Sequence, residues 1–413
     1  MDIPRHDWIS RYLKFTSNTE PPILYKEWIA CSVIASVLQR KVRLNWGTLT
    51  FFPNLYVVLV GPSGRCRKGV AMSTGHKMLR ELAIKTTAEA ITREALIKNL
   101  AESAVTDEGP GGKQIIHSSL TVFSKELAVF LGQDNKKLMM DLTDWYDCDD
   151  KWEYRTKGAG VDEIIGVWLN LIGATTPELV QTQLPKDAVG GGLSSRIIFV
   201  FEDKKAKKVA APFLTKEQKG MYTELKNELE FMNSISGEVG FDDTFVESYA
   251  KWYEASIKLP PEYGGNVSSG TLDKFKEGPL AYYNERRANH VMRLCIILSA
   301  SQKEETLTEQ ILFRAINLLE RTEVKMPRTF GGYGGAEKAS VMHKIMELVA
   351  KYGRISRKDI LKILHFELDD LNELDKMLQM LSTMKFCRIV HDEKDTIVEY
   401  NTKQEMGGEF IAD

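Results

Sequence analysis

The sequence predicts an α/β fold with a parallel sheet at its core, and long apolar runs are the first reason. Six consecutive apolar residues at Leu55–Val60 are typical of a strand that is buried on both faces of a parallel sheet. A glycine-bearing turn and a helical segment, Val70–Lys85, follow this run and complete a strand–turn–helix unit. Later apolar runs predict further core strands at Leu120–Phe123, Ile164–Ile172 and Ile197–Phe201.

Composition places the chain among ordinary globular proteins. Its 413 residues are enough for two or three domains, and 43% of them are hydrophobic and 27% charged. The net charge of −2 offers no global attraction to nucleic acid, so such binding would need local basic clusters. The five cysteines are scattered without a CxxC pair, which favours a reducing cytoplasm over a disulfide framework or a zinc site. No apolar run approaches the length of a membrane span, and we expect no membrane partner.

Breaks in the pattern divide the chain into four predicted segments. They are an N-terminal helical segment (1–50), the α/β core (51–212), a helical lid (213–330) and a C-terminal domain (336–402). The charge run Lys204–Lys208 is predicted to be a solvated linker, and Gly331–Gly335 is a second linker. Three amphipathic helices followed by two strands predict a winged helix in the C-terminal domain. Acidic residues at Glu367–Asp370 make duplex recognition by its third helix doubtful, so protein docking and nonspecific DNA binding both remain open.

The turn after the first core strand approximates the phosphate-binding pattern G-x-x-x-x-G-K-[ST]. Free backbone amides and the dipole at a helix N-terminus would hold a phosphate there. Either the turn has one extra residue and Lys68 is the phosphate lysine, or Arg67 replaces that lysine. Gly69 lacks the hydroxyl that normally holds magnesium. The predicted nucleotide-contacting residues of this turn are Gly61, Pro62, Ser63, Gly64, Arg65, Cys66, Arg67, Lys68, Gly69 and Val70.

Polar residues at the ends of the later strands are the candidate catalytic groups. Glu126 is predicted to activate water and to support a metal ion, although a solvated glutamate in the first turn of a helix would look the same. Thr175 or Thr176 would contact the γ-phosphate. Arg196, after a Gly/Ser loop, suits an arginine finger that completes a neighbouring subunit's site.

One helical arginine is a further candidate for nucleotide contact. Arg286 or Arg287 opens a predicted helix in the helical lid, and Arg287 is the residue assigned to reach back to the nucleotide. His290 on the same helix is interpreted as an interface histidine.

Residues 151–163 have the alternation of a β-hairpin. Lys151, Arg155 and Lys157 are predicted to contact DNA phosphates, and Trp152 is available to stack on bases. A surface hairpin of mixed charge is the alternative interpretation.

Together these features resemble phage and mobile-element replication ATPases of the primase-helicase-like P-loop family. The resemblance covers most of residues 5–330 and is carried by Pro53–Tyr56, Gly61–Gly64, Arg67–Gly69, Gly173–Glu178 and Gly191–Arg196. The order of elements also resembles AAA+ helicases related to minichromosome-maintenance and superfamily III proteins. The chain departs from the family pattern at Gly69, and at Ser124 or Lys125, where the family has an aspartate.

The resemblance implies an AAA+-like P-loop NTPase that uses ATP and Mg²⁺. It implies a homo-oligomeric ring, usually a hexamer, with ATP sites between subunits and single-stranded or forked DNA in the channel. An ATP-driven DNA helicase or translocase of DNA replication is therefore expected, in the cytoplasm (that of the host if a phage encodes it), with other replication proteins docking on the winged helix. A helicase loader or switch ATPase without unwinding activity is one alternative, and a non-hydrolysing DNA-binding scaffold is another.

Overall fold

The computed structural model describes residues 7–87, 90–132, 135–156, 160–183, 192–254, 275, 280–330, 336–364, 371–391 and 396–401. The chain forms two compact units, Met1–Phe330 and Gly331–Asp413. Both mix helices and strands. In the described ranges, none of the helices combines the length and apolarity that crossing a bilayer needs.

A five-stranded sheet forms the centre of the first unit. Its strands are β3 (Tyr56–Val60), β4 (Ala104–Glu108), β5 (Gln114–Ser124), β8 (Val167–Thr175) and β9 (Ile197–Phe201). Their order is β4-β5-β8-β3-β9, and only the edge strand β4 runs antiparallel to its neighbour. Every residue of β3, β8 and β9 is buried, which explains their uninterrupted apolar runs. The predicted α/β class with a mainly parallel sheet is confirmed.

Smaller strand pairs surround this sheet. They are β1 (Val42–Trp46), β2 (Leu49–Phe51) and β10 (Gly237–Glu238) in one sheet, the hairpin of β6 (Lys151–Thr156) and β7 (Gly160–Ile165), and the pair β11 (Gly240–Phe241) and β12 (Thr306–Leu307). The predicted strand Ile164–Ile172 began too early, because Gly166 turns the chain between the hairpin and the core strand. Its backbone is left-handed (φ +59°), and a Cβ there would lie 2.6 Å from the carbonyl oxygen of Ile116.

The first unit contains twelve helices in its described ranges, only some of which were predicted. They are α1 (Trp8–Phe15), α2 (Ile23–Leu38), α3 (Lys68–Glu81), α4 (Arg93–Ala101), α5 (Leu127–Leu131), α6 (Lys136–Tyr146), α7 (Pro177–Gln183), α8 (Gly192–Arg196), α9 (Lys216–Ser234), α10 (Asp243–Tyr253), α11 (Ala281–Gln302) and α12 (Glu309–Glu323). Helix α4 starts only at Arg93, because the Thr87 amide donates to the Thr121 carbonyl (3.0 Å) and Thr92 caps the helix.

Helix α2 is the centre of the hydrophobic core on one face of the sheet. Fourteen of its sixteen residues are buried, and it packs against α3, β8, α9 and α11. One polar network crosses this contact. Thr121 Oγ1 donates to Ser36 Oγ (3.0 Å), and the Asn170 amide donates to the same oxygen (3.1 Å) while its carbonyl accepts from the Leu55 amide (2.9 Å). Because these groups are buried and satisfied, they fix the lateral position of β3, β5 and β8.

The second unit has its own core and a three-stranded sheet. Its elements are α13 (Ala336–Tyr352), β13 (Arg354–Ser356), α14 (Arg357–Ile363), α15 (Leu371–Thr383), β14 (Cys387–His391) and β15 (Thr396–Tyr400). The strand order is β13-β15-β14. Apolar residues from all three helices and from the strands form one buried cluster, which includes Ile345, Leu378 and Val398. The acidic stretch 367–370 lies outside the described residues.

Two helical glycines give opposite expectations for stability. A Cβ on Gly75 of α3 would lie 2.7 Å from Ile29 Cγ2 and 2.8 Å from Val33 Cγ2, both on α2. Gly75→Ala should therefore destabilise the protein by about 1–3 kcal/mol despite alanine's better helix propensity. Gly220 of α9 has nothing within 4 Å of the Cβ position, so Gly220→Ala should stabilise by roughly 0.5–1 kcal/mol.

Chemical denaturation of both variants measures these changes. Equal stabilisation by the two alanines would contradict the close packing of α2 on α3.

Candidate functional site

The four parallel strands end at one edge of the sheet. Val60 lies opposite Thr175 on one side and Phe201 on the other, and Ser124 lies opposite Gly173. Along the sequence β5 precedes β8, but in the sheet β8 lies between β3 and β5. The order of the strands therefore reverses at this edge. Ligands of open α/β sheets bind in the crevice at such a reversal.

The turn of residues 61–67 follows β3 at this edge and is anchored to its neighbours. The Gly61 amide donates to the Thr175 carbonyl (3.4 Å), and Cys66 Sγ contacts the Glu202 carbonyl oxygen (3.0 Å). Residue 61 must be glycine, because a Cβ would lie 2.4 Å from the Glu202 oxygen and 2.7 Å from Tyr25 Oη. Gly64 has a left-handed backbone (φ +71°). Ser63, Gly64 and Arg65 are exposed at the tip.

Helix α3 starts directly after the turn and directs its first residues to the same edge. Arg67 is the N-cap and has a left-handed backbone (φ 55°, ψ 39°). Lys68 is the first helical residue, and its half-buried Nζ donates to the Gly61 carbonyl (2.5 Å) and lies 3.4 Å from the Pro62 carbonyl. Gly69 and Val70 are exposed, and a Cβ on Gly69 would meet nothing within 4 Å.

The backbone at Arg67 decides between the two sequence alignments. A left-handed residue directly before the lysine is the conformation for which glycine is the default, and the phosphate-binding pattern has glycine in that place. The alignment with one extra residue, in which Arg67 takes the glycine's place and Lys68 is the lysine, therefore fits the backbone better than the alignment in which Arg67 replaces the lysine.

Glu20 is a functional candidate that the sequence did not reveal, since its segment indicated only a break between helices. Its carboxylate accepts from Arg67 Nε (2.7 Å), Lys205 Nζ (2.6 Å) and the Val209 amide (3.2 Å). The hydrogen bonds from Lys205 and Arg67 lower the pKa of Glu20 to about 2. This carboxylate therefore stays charged at neutral pH and holds the Arg67 side chain to one side of the turn.

Two carboxylates lie within electrostatic reach of Lys68. Burial lowers the pKa of Lys68, while Cys66, Glu126 and Glu178 act in the opposite direction. Glu126 is exposed at the N-cap of α5, and Glu178 is exposed in the first turn of α7. Sequence reasoning missed Glu178 as a site residue, although its place three residues after the last residue of β8 is the signal that could have identified it.

Hydroxyl groups complete this edge of the sheet. Thr175 is the buried last residue of β8, and Thr176 Oγ1 accepts from the Leu179 amide (3.4 Å) and so caps α7. Ser124, which occupies one of the two possible places of the family's aspartate, has a buried Oγ without a hydrogen-bond partner. The structure thus brings Lys68, Glu126, Thr175 and Thr176 to one edge, as the sequence predicted.

Arg196 and Arg287 lie elsewhere. Arg196 precedes β9 and therefore lies at the opposite edge of the sheet, where it is buried and paired with Asp147. Its predicted role concerns a neighbouring subunit and stays a prediction. Arg287 is 1% exposed and binds two buried carboxylates, with Nε 2.7 Å from Glu323 and Nη2 3.5 Å from Glu320.

The predicted contact of Arg287 with the nucleotide is accordingly corrected, because this guanidinium is already neutralised inside the helical region. Its neighbour Arg286 pairs with Asp147 (3.1 Å), also at the opposite edge. His290 is buried between Tyr146 and the Ser195 carbonyl, which supports its interpretation as an interface histidine.

The predicted hairpin is present, but its charges are balanced. Lys151 Nζ lies 2.6 Å from Glu153 and 2.6 Å from Glu163, and these hydrogen bonds raise the pKa of Lys151. Trp152 packs against Trp145, with ring centroids 5.4 Å apart. The predicted DNA contacts of Lys151 and Trp152 are therefore weakened, since both groups are engaged within the chain. Arg155 is exposed and Lys157 lies outside the described residues.

Two cavities flank the outward face of α3. One, of about 440 Å³, is lined by His76, Arg80 and Lys125 among others. The second, of about 460 Å³, is lined by Phe15, Thr19 and Tyr222 and reaches the residue next to Glu20. Ser73 and Lys77 line both. Within the described ranges, no three side chains of His, Cys, Asp or Glu are arranged to hold a metal ion.

No protein-family model and no curated protein matches this chain. The assignment of a function therefore depends on the geometry and chemistry of the residues themselves.

The left-handed backbone at Arg67 can be tested by two substitutions at that position. Arg67→Gly and Arg67→Ala both remove the ion pair with Glu20, but only glycine relieves the backbone strain. The glycine variant should be more stable than the alanine variant by roughly 1 kcal/mol, measured by chemical denaturation. An alanine variant of equal or higher stability would contradict the left-handed conformation.

Proposed function

We propose that the protein binds a nucleoside triphosphate in the turn of residues 61–67 and hydrolyses it, as a P-loop NTPase of the AAA+-like kind. The single observation that carries this proposal is Lys68. Its ammonium group folds back onto the carbonyl oxygens of the glycine-bearing turn at the edge where the strand order reverses. A half-buried cation held against carbonyl groups is poised to exchange them for phosphate oxygens, which carry far more negative charge.

Phosphate binding would use the backbone as well as Lys68. The first amides of a helix lack the usual intrahelical partners, and in α3 the Val70 and Ala71 amides donate to the Arg67 carbonyl, so the amides of Lys68 and Gly69 would serve the phosphates. The exposed tip would add the amides of Ser63 and Gly64. We assign the base of the nucleotide to the cavity lined by Phe15, Thr19 and Tyr222.

Hydrolysis would use the residues that follow β5 and β8. Glu126 would accept a proton from the attacking water while the water oxygen bonds to the γ-phosphorus and the β–γ bridging oxygen leaves with the diphosphate. Thr175 or Thr176 would donate a hydrogen bond to the γ-phosphate. Arg196 of one subunit would neutralise charge in the site of the next, which requires it to leave Asp147.

Magnesium fits this site in part. Mg²⁺ is commonly bound by one or two carboxylates together with substrate phosphates and water, so a third protein carboxylate is not needed. Glu126 and Glu178 would supply such oxygens, whereas position 69 has no hydroxyl. When bound, the ion would neutralise the phosphate charge.

In the wider setting, we propose an ATP-driven, ring-forming DNA helicase or translocase of phage or mobile-element DNA replication. Support comes from the family resemblance of the sequence. It also comes from the second unit, whose order of helix, strand, two helices and two strands, with β15 between β13 and β14, suits the proposed winged helix. A replication ring would act on single-stranded or forked DNA in its channel.

A helicase loader or switch ATPase is the second candidate, and two observations favour it. Gly69 lacks the magnesium hydroxyl, which would slow hydrolysis, and Lys151 of the hairpin is neutralised by two glutamates. Nucleotide would then control assembly with a separate helicase.

Two variants should distinguish nucleotide binding from nucleotide hydrolysis. Lys68→Ala should weaken ATP binding about tenfold or more, because it removes the ammonium group that lies at the carbonyl oxygens of the turn. Glu126→Gln should retain binding and lower the rate constant of hydrolysis by about 10²–10⁴. Calorimetric ATP binding and DNA-stimulated phosphate release measure the two effects, with Lys98→Ala on α4 as the control. Wild-type ATP binding by Lys68→Ala would exclude this site, and a non-hydrolysing scaffold would show no phosphate release in any form.

Strand displacement distinguishes helicase from loader. If the protein is a helicase, it should separate forked DNA with ATP and without any added helicase, and Glu126→Gln should abolish this. ATP hydrolysis without strand separation, restored when a replicative helicase is added, would instead support the loader.

A further inference from the structure

The basic run Lys204–Lys208 is largely exposed and has no helix or strand, as predicted for a solvated linker, but its backbone is tethered to Glu20. The Ala206 amide donates to the Glu20 carbonyl (3.0 Å), the Val209 amide to Glu20 Oε1 (3.2 Å), and Lys205 Nζ to the same oxygen (2.6 Å). Glu20 also holds Arg67. Through Glu20, these contacts hold the run beside the turn of residues 61–67.

The fixed run concentrates positive charge in a chain whose net charge is −2. Exposed basic groups at this edge include Arg65, Lys204, Lys207 and Lys208. Three acidic groups near the run are already paired: Glu20 with Lys205 and Arg67, Glu202 with Lys325 (2.6 Å), and Asp203 with Arg328 (3.4 Å).

The positive charge of this run acts on Lys26, which lies in the protein interior. The pKa of Lys26 falls to about 8, mainly through burial and secondarily through the nearby charge of Lys207. The exposed lysines of the run would attract a polyanion.

An exposed aromatic side chain lies at the end of the same segment. Phe213 is 80% exposed, and Leu214 beside it is 43% exposed. The Phe213 carbonyl accepts from Asn18 Nδ2 (3.3 Å), so the backbone is tied to the N-terminal helices while the ring projects into solvent. Phe213 is thus largely exposed, and a row of lysines precedes it in the sequence. Proteins use exposed aromatic rings together with basic residues to bind unpaired bases and their phosphates.

We infer that residues 204–213, together with Arg65, form a binding surface for single-stranded nucleic acid, with the lysines on the phosphates and Phe213 under a base. An acidic protein would not need the ring, and a duplex would not offer it an unpaired base. The surface gives the proposed translocase a nucleic-acid contact outside the hairpin. It does not depend on nucleotide hydrolysis.

The charge part of this inference is tested by the salt dependence of binding. The full-length protein is titrated into labelled oligothymidylate and oligouridylate over a series of salt concentrations, and log K is plotted against log salt. Lys207→Gln with Lys208→Gln should weaken binding and reduce the slope by about 1.4, since each single-strand phosphate contact contributes about 0.7. The matched control, Lys136→Gln with Lys137→Gln, removes two consecutive exposed lysines of α6 and should leave the slope unchanged.

The aromatic part should behave differently. Phe213→Ala should lower the affinity about tenfold without changing the salt slope, because stacking involves no counterion release. Phe231→Ala, which removes another exposed ring (60%), is the control and should have no effect. Preference for thymidylate or uridylate decides whether DNA or RNA is the ligand, and either result supports the surface.

Three outcomes would overturn the inference: a wild-type slope in the double lysine variant, tighter binding to a duplex, or tighter binding to anionic vesicles. Measurements of ATP binding test the proposed nucleotide site separately. Loss of ATP binding in Lys68→Ala with intact oligonucleotide binding would leave both proposals standing. Wild-type protein that binds oligonucleotide but not ATP would refute only the nucleotide site.

Discussion

The close approach of three chain segments at Gly61 is the constraint on which the candidate site depends. The amide of this residue donates to the end of β8, while the space for its side chain is filled by the Glu202 carbonyl after β9 and by Tyr25 Oη of α2. Tyr25 Oη also donates to the Val60 carbonyl (2.6 Å). Because no side chain fits there, the turn lies flat on the sheet edge and Lys68 can return to it. Any larger residue would push the turn away from both strands.

The charges at this edge are arranged in two layers. Inside, Glu20 and Glu202 pair with cations from neighbouring segments and thereby connect the segment before α2, the turn, the run after β9 and the segment after α12. Outside, Lys68 contacts only carbonyl oxygens among its described hydrogen-bond partners, and Lys207 and Lys208 are exposed. The inner layer stabilises the fold, whereas the outer layer leaves positive charge for ligands. This division explains how a chain with a net charge of −2 can still attract phosphate groups.

Much of the sheet could be predicted from sequence because its strands are buried on both faces. Ile197–Phe201 was predicted with its observed bounds for this reason. The edge strand β4 was missed, since its residues are half-exposed and largely polar and carry no apolar run. The Gly-rich segment 109–112 is the turn between β4 and β5 and not a free loop. Edge strands depend on long-range pairing, which a local pattern does not encode.

The residues of the candidate site also differ in whether the sequence predicts them. The sequence could predict that Lys68, Glu126 and Thr175 lie at one edge, because each lies at or after the end of a buried strand and strand ends meet wherever a parallel sheet forms. Glu20 was not predicted, since its partners lie far away in the sequence and are brought to it only by the fold. Arg287 was misassigned because a helical arginine next to a predicted active site resembles a ligand contact. Its two buried carboxylate partners, Glu320 and Glu323, carry no sequence signal that distinguishes them from surface glutamates.

A crystal structure with a non-hydrolysable ATP analogue would test the proposed nucleotide site most directly. If nucleotide binds there, density for the β- and γ-phosphates should lie in the turn of residues 61–67, with Lys68 Nζ moved from the Gly61 carbonyl onto a phosphate oxygen. Density for the analogue at another surface, with Lys68 still bound to Gly61, would contradict the proposed site.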